Sequence, residues 1–148
     1  KAMVAPLLLT DEGRIQHAGM SAQTLGLGGD LPACVHSLKG LDPQQLKALS
    51  PDGVPYDVEL LSGAALMFER KRFLELGGFD PVFGRGDFED LDFSLRWRRS
   101  GCKLKLVPSA RLTHLERQSI GHDVDPMVRW RGLLNAWQAK SLCAEELA

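Results

Sequence analysis

The stretch from Gly84 to Glu116, GRGDFEDLDFSLRWRRSGCKLKLVPSARLTHLE, constrains the fold more than any other part of the chain. A glycine-bracketed loop ends in two adjacent acids, Glu89 and Asp90. Leu91 and Leu95 then share one helix face, with Phe88 one turn before them. Asp87, Glu89, Asp90 and Asp92 load the first turn, where the helix dipole favours negative charge; Arg96, Arg98 and Arg99 load the last, where it favours positive charge. Gly101 is the stop signal. Lys103 to Val107 alternates polar and apolar, which predicts a half-buried strand ended by Pro108, since proline cannot donate to a sheet ladder. His114 follows. Acids at a helix start and a histidine past a strand end can meet at the edge of one pocket, and the rest of the chain is expected to hold that meeting in place.

The chain of 148 residues is long enough for a single domain over 1–148 with its own core, and 44% apolar with 25% charged residues reads as globular. A net charge of −1 argues against a broad nucleic-acid-binding surface. The local clusters Arg70, Lys71, Arg72 and Arg96 to Arg99 read as solvated helix faces. No apolar run approaches membrane-spanning length and no signal peptide is visible. Cys34, Cys102 and Cys143 are few and widely spaced, which argues against a disulfide framework or a cysteine zinc site and suits a reducing compartment. Lys1 leads almost at once into an apolar run, so a fragment of a longer protein is expected.

Along the chain, Met3 to Leu9 reads as a buried strand, with Pro6 marking an edge or a bulge. Arg14 to Ala18 reads as its hairpin partner, with His17 a structural or surface histidine. Gly19 to Gly40 reads as a long glycine-rich loop; Gly26, Gly28 and Gly29 form only a weak phosphate-cradle signal, because no helix follows them. Asp42-Pro43 caps a short helix to about Leu49. A small-residue strand is expected from Ser62 or Gly63 to Phe68, where the glycine lets something approach the backbone closely. A helix from Glu69 to Leu76 stops at Gly77-Gly78. The last element, over 125–147, is an amphipathic helix. Its Trp130, Leu133, Leu134 and Trp137 share one face, read as docking onto the body, with a missing domain or a membrane surface as alternatives.

Taken in order, Ser62-Gly63-Ala64, Gly77-Gly78-Phe79-Asp80, Glu89-Asp90, Gly101, Val107-Pro108 and His114 resemble the acceptor-side half of GT-A fold, family-2 glycosyltransferases. The opening LLLTDEGRIQHAG resembles rhamnosyltransferase-like members. The resemblance covers roughly Val4 to Ser119. It implies an α/β domain with a partial GT-A fold, a small mixed sheet with packed helices. The implied parent is a bacterial enzyme in polysaccharide biosynthesis, cytoplasmic or at the inner face of the cytoplasmic membrane, with room for peripheral membrane association. It would move a sugar from a nucleotide-diphosphate donor to a saccharide acceptor with inversion.

Inverting transfer needs a base, a cation to offset charge on the leaving diphosphate, and a pocket that aligns two substrates. Asp90 matches the family's base, the second acid of its "ED" pair. Glu89 points about 100° away on a helix, so it suits acceptor binding, with Gly63 and Asp80 also on the acceptor side. His114 matches a metal-binding position; a divalent Mn or Mg ion is implied, and imidazole suits Mn²⁺ better. Glu116 is a weaker neighbour of it. The family's metal-binding Asp-x-Asp is not found near the start. Asp90-Leu91-Asp92 and Asp123-Val124-Asp125 have the spacing in the wrong places. Arg129-Trp130 ends a Gln-x-x-Arg-Trp motif whose first letter is Pro126, which argues against a processive synthase. The isolated chain is therefore expected to be inactive. The competing class is a non-catalytic carbohydrate-binding or interaction module that keeps the fold; a metal-dependent hydrolase rests on acids plus histidine alone.

Overall fold

A computed structural model describes residues 1–25, 31–84, 86–115 and 127–142. The glycine cradle, Glu116, Asp123-Val124-Asp125, Pro126, Cys143 and both ends of the 125–147 helix lie outside the described residues, as does the side chain of Arg129.

β1 (Ala2–Leu9) and β2 (Ile15–His17) form the expected antiparallel hairpin. β3 (Met20–Leu25) and β4 (Leu31–His36) pair antiparallel as a separate two-stranded sheet. The long loop expected over Gly19 to Gly40 is thus corrected. Its glycines are concentrated between two runs, and Met20 to Leu25 and Leu31 to His36 each have enough polar and apolar side chains to make a strand. A 3-10 turn over Pro43–Ala48 starts as expected, with Asp42 Oδ1 accepting from the Gln44 N–H at 2.8 Å. β5 (Tyr56–Asp57), α1 (Arg70–Glu75), α2 (Glu89–Arg99), β6 (Lys103–Thr113) and α3 (Met127–Leu142) complete the chain.

The main sheet is mixed, in the order β2-β1-β6-β5, with β1 and β6 parallel. Pro6 is therefore interior to the sheet, and the bulge half of its expectation is what the ladder shows. Register jumps from Pro6↔Val107 to Leu7↔Arg111. This corrects the end of β6 at Pro108. The strand runs on to Thr113 because residues 108–110 fall where pairing is already interrupted, so the missing proline N–H costs no ladder bond. Ser62 to Phe68 is not a strand. It turns at Gly63-Ala64 and, among the described residues, bridges to sheet backbone at Met67, which pairs with Val4; Leu60, just before it, bridges to Met20.

α2 is the organising helix. Leu91, Phe93, Leu95 and Trp97 are all buried, on more than one face. Phe93 and Trp97 pack with Met3, Ala5, Leu7, Leu104 and Leu106 of the sheet. Leu91 and Leu95 pack with Met20, Leu60, Phe83 and Ala139. The helix thus joins the sheet to the β3–β4 hairpin and α3, and its N-terminus is fixed from both sides.

α3 sits with the opposite face inward from the one expected. Trp130 and Trp137 are 65% and 63% exposed, while Asn135, Ala136 and Ala139 are buried. Small residues let the helix approach closely, and Asn135 satisfies buried carbonyls there, so the bulky stripe is left outside.

Candidate functional site

The N-terminus of α2, the Gly63 turn, the end of β6, β4 and α3 enclose one cleft of about 770 Å³. Glu89, Asp90, Gly63 and His114 all line it, so residues far apart in sequence share a wall. Asp80 is not among the lining residues. Its carboxylate accepts from the Val82 N–H at 2.9 Å and caps a 3-10 turn over Pro81–Phe83.

Asp90 is half-buried, not sealed in the interior. Its Oδ2 accepts from the Gly63 N–H at 3.0 Å and its Oδ1 from the Leu91 N–H at 2.9 Å. A carboxylate offers about four lone-pair sites, so each oxygen keeps acceptor capacity toward the cleft. Burial pushes its pKa up, and the two backbone bonds pull the other way without cancelling that effect. A Cβ on Gly63 would lie 3.5 Å from Asp90 Cβ and 3.7 Å from Glu89 Oε1, which is the close approach expected at that glycine. Glu89 is also pushed up, first by burial and then by the charge of Asp90. Its Oε2 is buried without a hydrogen-bond partner among the described residues, as suits a group that waits for a ligand.

The loop that delivers the acids is held in a costly conformation. Asp87 and Phe88 have φ of 66° and 76°, in the left-handed region that non-glycine residues avoid. Asn135 of α3 clamps it. Its Nδ2 donates to the carbonyls of Phe83 and Gly86 at 2.7 Å and of Asp87 at 3.0 Å. Sequence reasoning missed Asn135; the only signal was a polar residue beside Ala136 and Ala139, opposite the bulky stripe.

His114 hangs from β1 through its N–H to Leu9 O at 2.9 Å, and its Nδ1 lies 2.9 Å from Gln16 Oε1. Among the described residues no three His, Cys, Asp or Glu side chains gather to hold a metal ion. His114 alone is one donor, so the described residues do not by themselves make a metal site.

His17 is fully buried and structural in its contacts. Its Nδ1 lies 3.4 Å from His36 Nδ1, and its Nε2 accepts from the Ser62 N–H at 3.4 Å. Burial, then His36, pushes it down to about 3. The unfolded chain takes up this proton near the ordinary 6.5. Stability contributed by neutral His17 is therefore complete above pH 6.5 and lost as pH falls toward 3. His17→Gln is expected to flatten the pH dependence of the unfolding free energy between pH 6 and 4, by up to about 1.4 kcal/mol per pH unit, in urea titrations.

No model of a known protein family matches the chain. "Putative polypeptide N-acetylgalactosaminyltransferase 10" of Drosophila melanogaster is 36% identical over 69 residues, 47% of this chain and 11% of that protein. Human N-acetylgalactosaminyltransferase 7 is 31% identical over 77 residues, 52% of this chain and 12% of that protein. Human polypeptide N-acetylgalactosaminyltransferase 10 is 27% identical over 82 residues, 55% of this chain and 13% of that protein. The chain thus spans about a tenth of the length of the curated relatives it matches. Among solved structures, the crystal structure of GalNAc-T7 with UDP, GalNAc and Mn²⁺ superposes with a TM-score of 0.61 at 21% identity, over 97% of this chain and 27% of that one. Over most of its length, then, the chain has the mixed α/β architecture of the GT-A glycosyltransferase fold.

Proposed function

We propose that this chain is the acceptor-side half of a metal-dependent glycosyltransferase, in which Asp90 takes the proton from an acceptor hydroxyl as that oxygen attacks the anomeric carbon of a nucleotide-linked sugar, with inversion. The observation that carries the reading is the Asp90 carboxylate in the wall of a cleft that Glu89 and His114 also line. A carboxyl pushed above its ordinary range is a better proton acceptor near neutrality than an exposed one. The Gly63 and Leu91 N–H groups fix its orientation, and Glu89 positions acceptor hydroxyls. A divalent ion held in part by His114 would, when bound, offset charge on the leaving diphosphate. Mn²⁺ suits the imidazole and is the ion in the GalNAc-T7 structure.

The similar proteins are animal N-acetylgalactosaminyltransferases, which makes a UDP-linked N-acetylhexosamine the first donor to try. They lend nothing to the rhamnosyltransferase-like, family-2 or bacterial assignments, which rest on the motif order alone, as does a setting in the cytoplasm or at the inner face of its membrane. No described helix is long and apolar enough to cross a membrane.

The assay is transfer by the full-length protein from labelled UDP-N-acetylgalactosamine and from a nucleotide-linked rhamnose, to saccharide and to peptide acceptors. Transfer to a saccharide that stops with a chelator and returns with Mn²⁺ is the expected result, and the 148-residue chain alone should give none. Full transfer in the presence of chelator would remove the metal from the reading, and donor binding without transfer to any acceptor would favour a binding module.

A further inference from the structure

We infer that Gln16 is a positioning residue that holds His114 in the tautomer with its proton on Nδ1, leaving Nε2 as the atom that can bind a cation in the cleft. This rests on the proposed role of His114 as a metal ligand. Two independent observations carry it. The first is the contact itself. Gln16 is 4% exposed, and its amide oxygen lies 2.9 Å from His114 Nδ1. An amide oxygen only accepts, so Nδ1 must donate and the ring's lone pair is left on Nε2. The second is the backbone. β2 pairs as Leu8↔His17 and then Leu9↔Ile15, so Gln16 is the extra residue of a β-bulge. A bulge re-aims a side chain, and Ile15, Gln16 and His17 are accordingly all buried where simple alternation would expose one. The same Leu9 whose pairing shifts accepts the His114 N–H. β1 thus holds the backbone of His114, and the bulge beside it supplies the residue that meets its ring. A neutral amide fixes the tautomer without adding a charge beside the ligand, unlike the carboxylate partner that also raises ligand basicity.

The test uses the full-length protein with ¹⁵N-labelled histidine, the His114 signals being assigned by their loss in His114→Gln. In the neutral ring of the wild type without metal, Nδ1–H with an unprotonated Nε2 is the expected form; a predominant Nε2–H form would overturn the inference with no variant needed. Gln16→Leu, of similar volume, is expected to shift the ring toward Nε2–H and to weaken Mn²⁺ binding about 10- to 100-fold, while Gln16→Glu restores the Nδ1–H form. An unchanged tautomer in a cooperatively folded Gln16→Leu protein would also overturn it. If Mn²⁺ binds His114→Gln as tightly as wild type, the ligand role of His114 fails, and the nitrogen spectra still decide what Gln16 does.

Discussion

Asp90→Asn in the full-length protein is expected to lower kcat for sugar transfer about 10²- to 10⁴-fold, equivalent to roughly 3–5 kcal/mol of lost transition-state stabilisation. The asparagine keeps the side-chain volume and one acceptor oxygen for the Gly63 or Leu91 N–H. The fold should survive, and only the capacity to take a proton is removed. Because the base must be ionised, wild-type kcat/KM should fall on the acid side, at a pH above the ordinary carboxylate range, in line with the upward push of burial on Asp90. Donor and Mn²⁺ affinities should change little. Glu89→Gln, by contrast, should act mainly on acceptor KM. Turnover within a few-fold of wild type in Asp90→Asn would take the base role away from Asp90.

The largest expected stability effect is at Arg96. This guanidinium ties α2 to the turn that follows α1. It pairs with the buried Asp92, with Nε to Oδ2 at 2.9 Å, and donates to the carbonyls of Leu76 at 2.7 Å and Gly78 at 2.8 Å. It also lies 5.2 Å from the Phe93 ring centroid. Arg96→Ala leaves Asp92 buried without its counter-charge and strands the two carbonyls beside the Gly77-Gly78 turn. A fall in unfolding free energy of about 3–5 kcal/mol is expected in denaturant titrations. Arg96→Lys should recover only part of it, since an ammonium cannot span the fork. Restoration by Asp92→Asn in the Arg96→Ala background would show that the uncompensated charge, and not the carbonyls, dominates the loss.

These two residues also show what could be read in advance. α2 was legible because its signals are local: acids in the first turn, arginines in the last, Gly101 beyond the end with φ of 76°. The Asp42 cap was legible for the same reason. The β3–β4 hairpin was not, because glycines crowd its sequence and the pairing partner lies across them. The continuation of β6 past Pro108 depends on a bulge against β1, which no local pattern encodes. α3 misled because its apolar periodicity is real but points outward; Asn135 and two alanines, not the tryptophans, decide how the helix packs. The acid pair, Gly63 and His114 were found through motif order, and the fold brings them to one cleft. Asp80 belongs to the same motif order yet serves a turn. Gln16 and Asn135 were invisible, since each acts through a long-range contact made by a polar side chain turned inward.

The central claim is that Asp90 and His114 serve one reaction in one cleft. It is tested most directly by a crystal structure of the full-length protein with Mn²⁺, an unreactive donor analogue and an acceptor. The account predicts an acceptor hydroxyl within about 2.6–3.2 Å of an Asp90 oxygen, with the metal on His114 Nε2. Substrates bound elsewhere, with Asp90 engaged only by Gly63 and Leu91 and His114 free of metal, would contradict it.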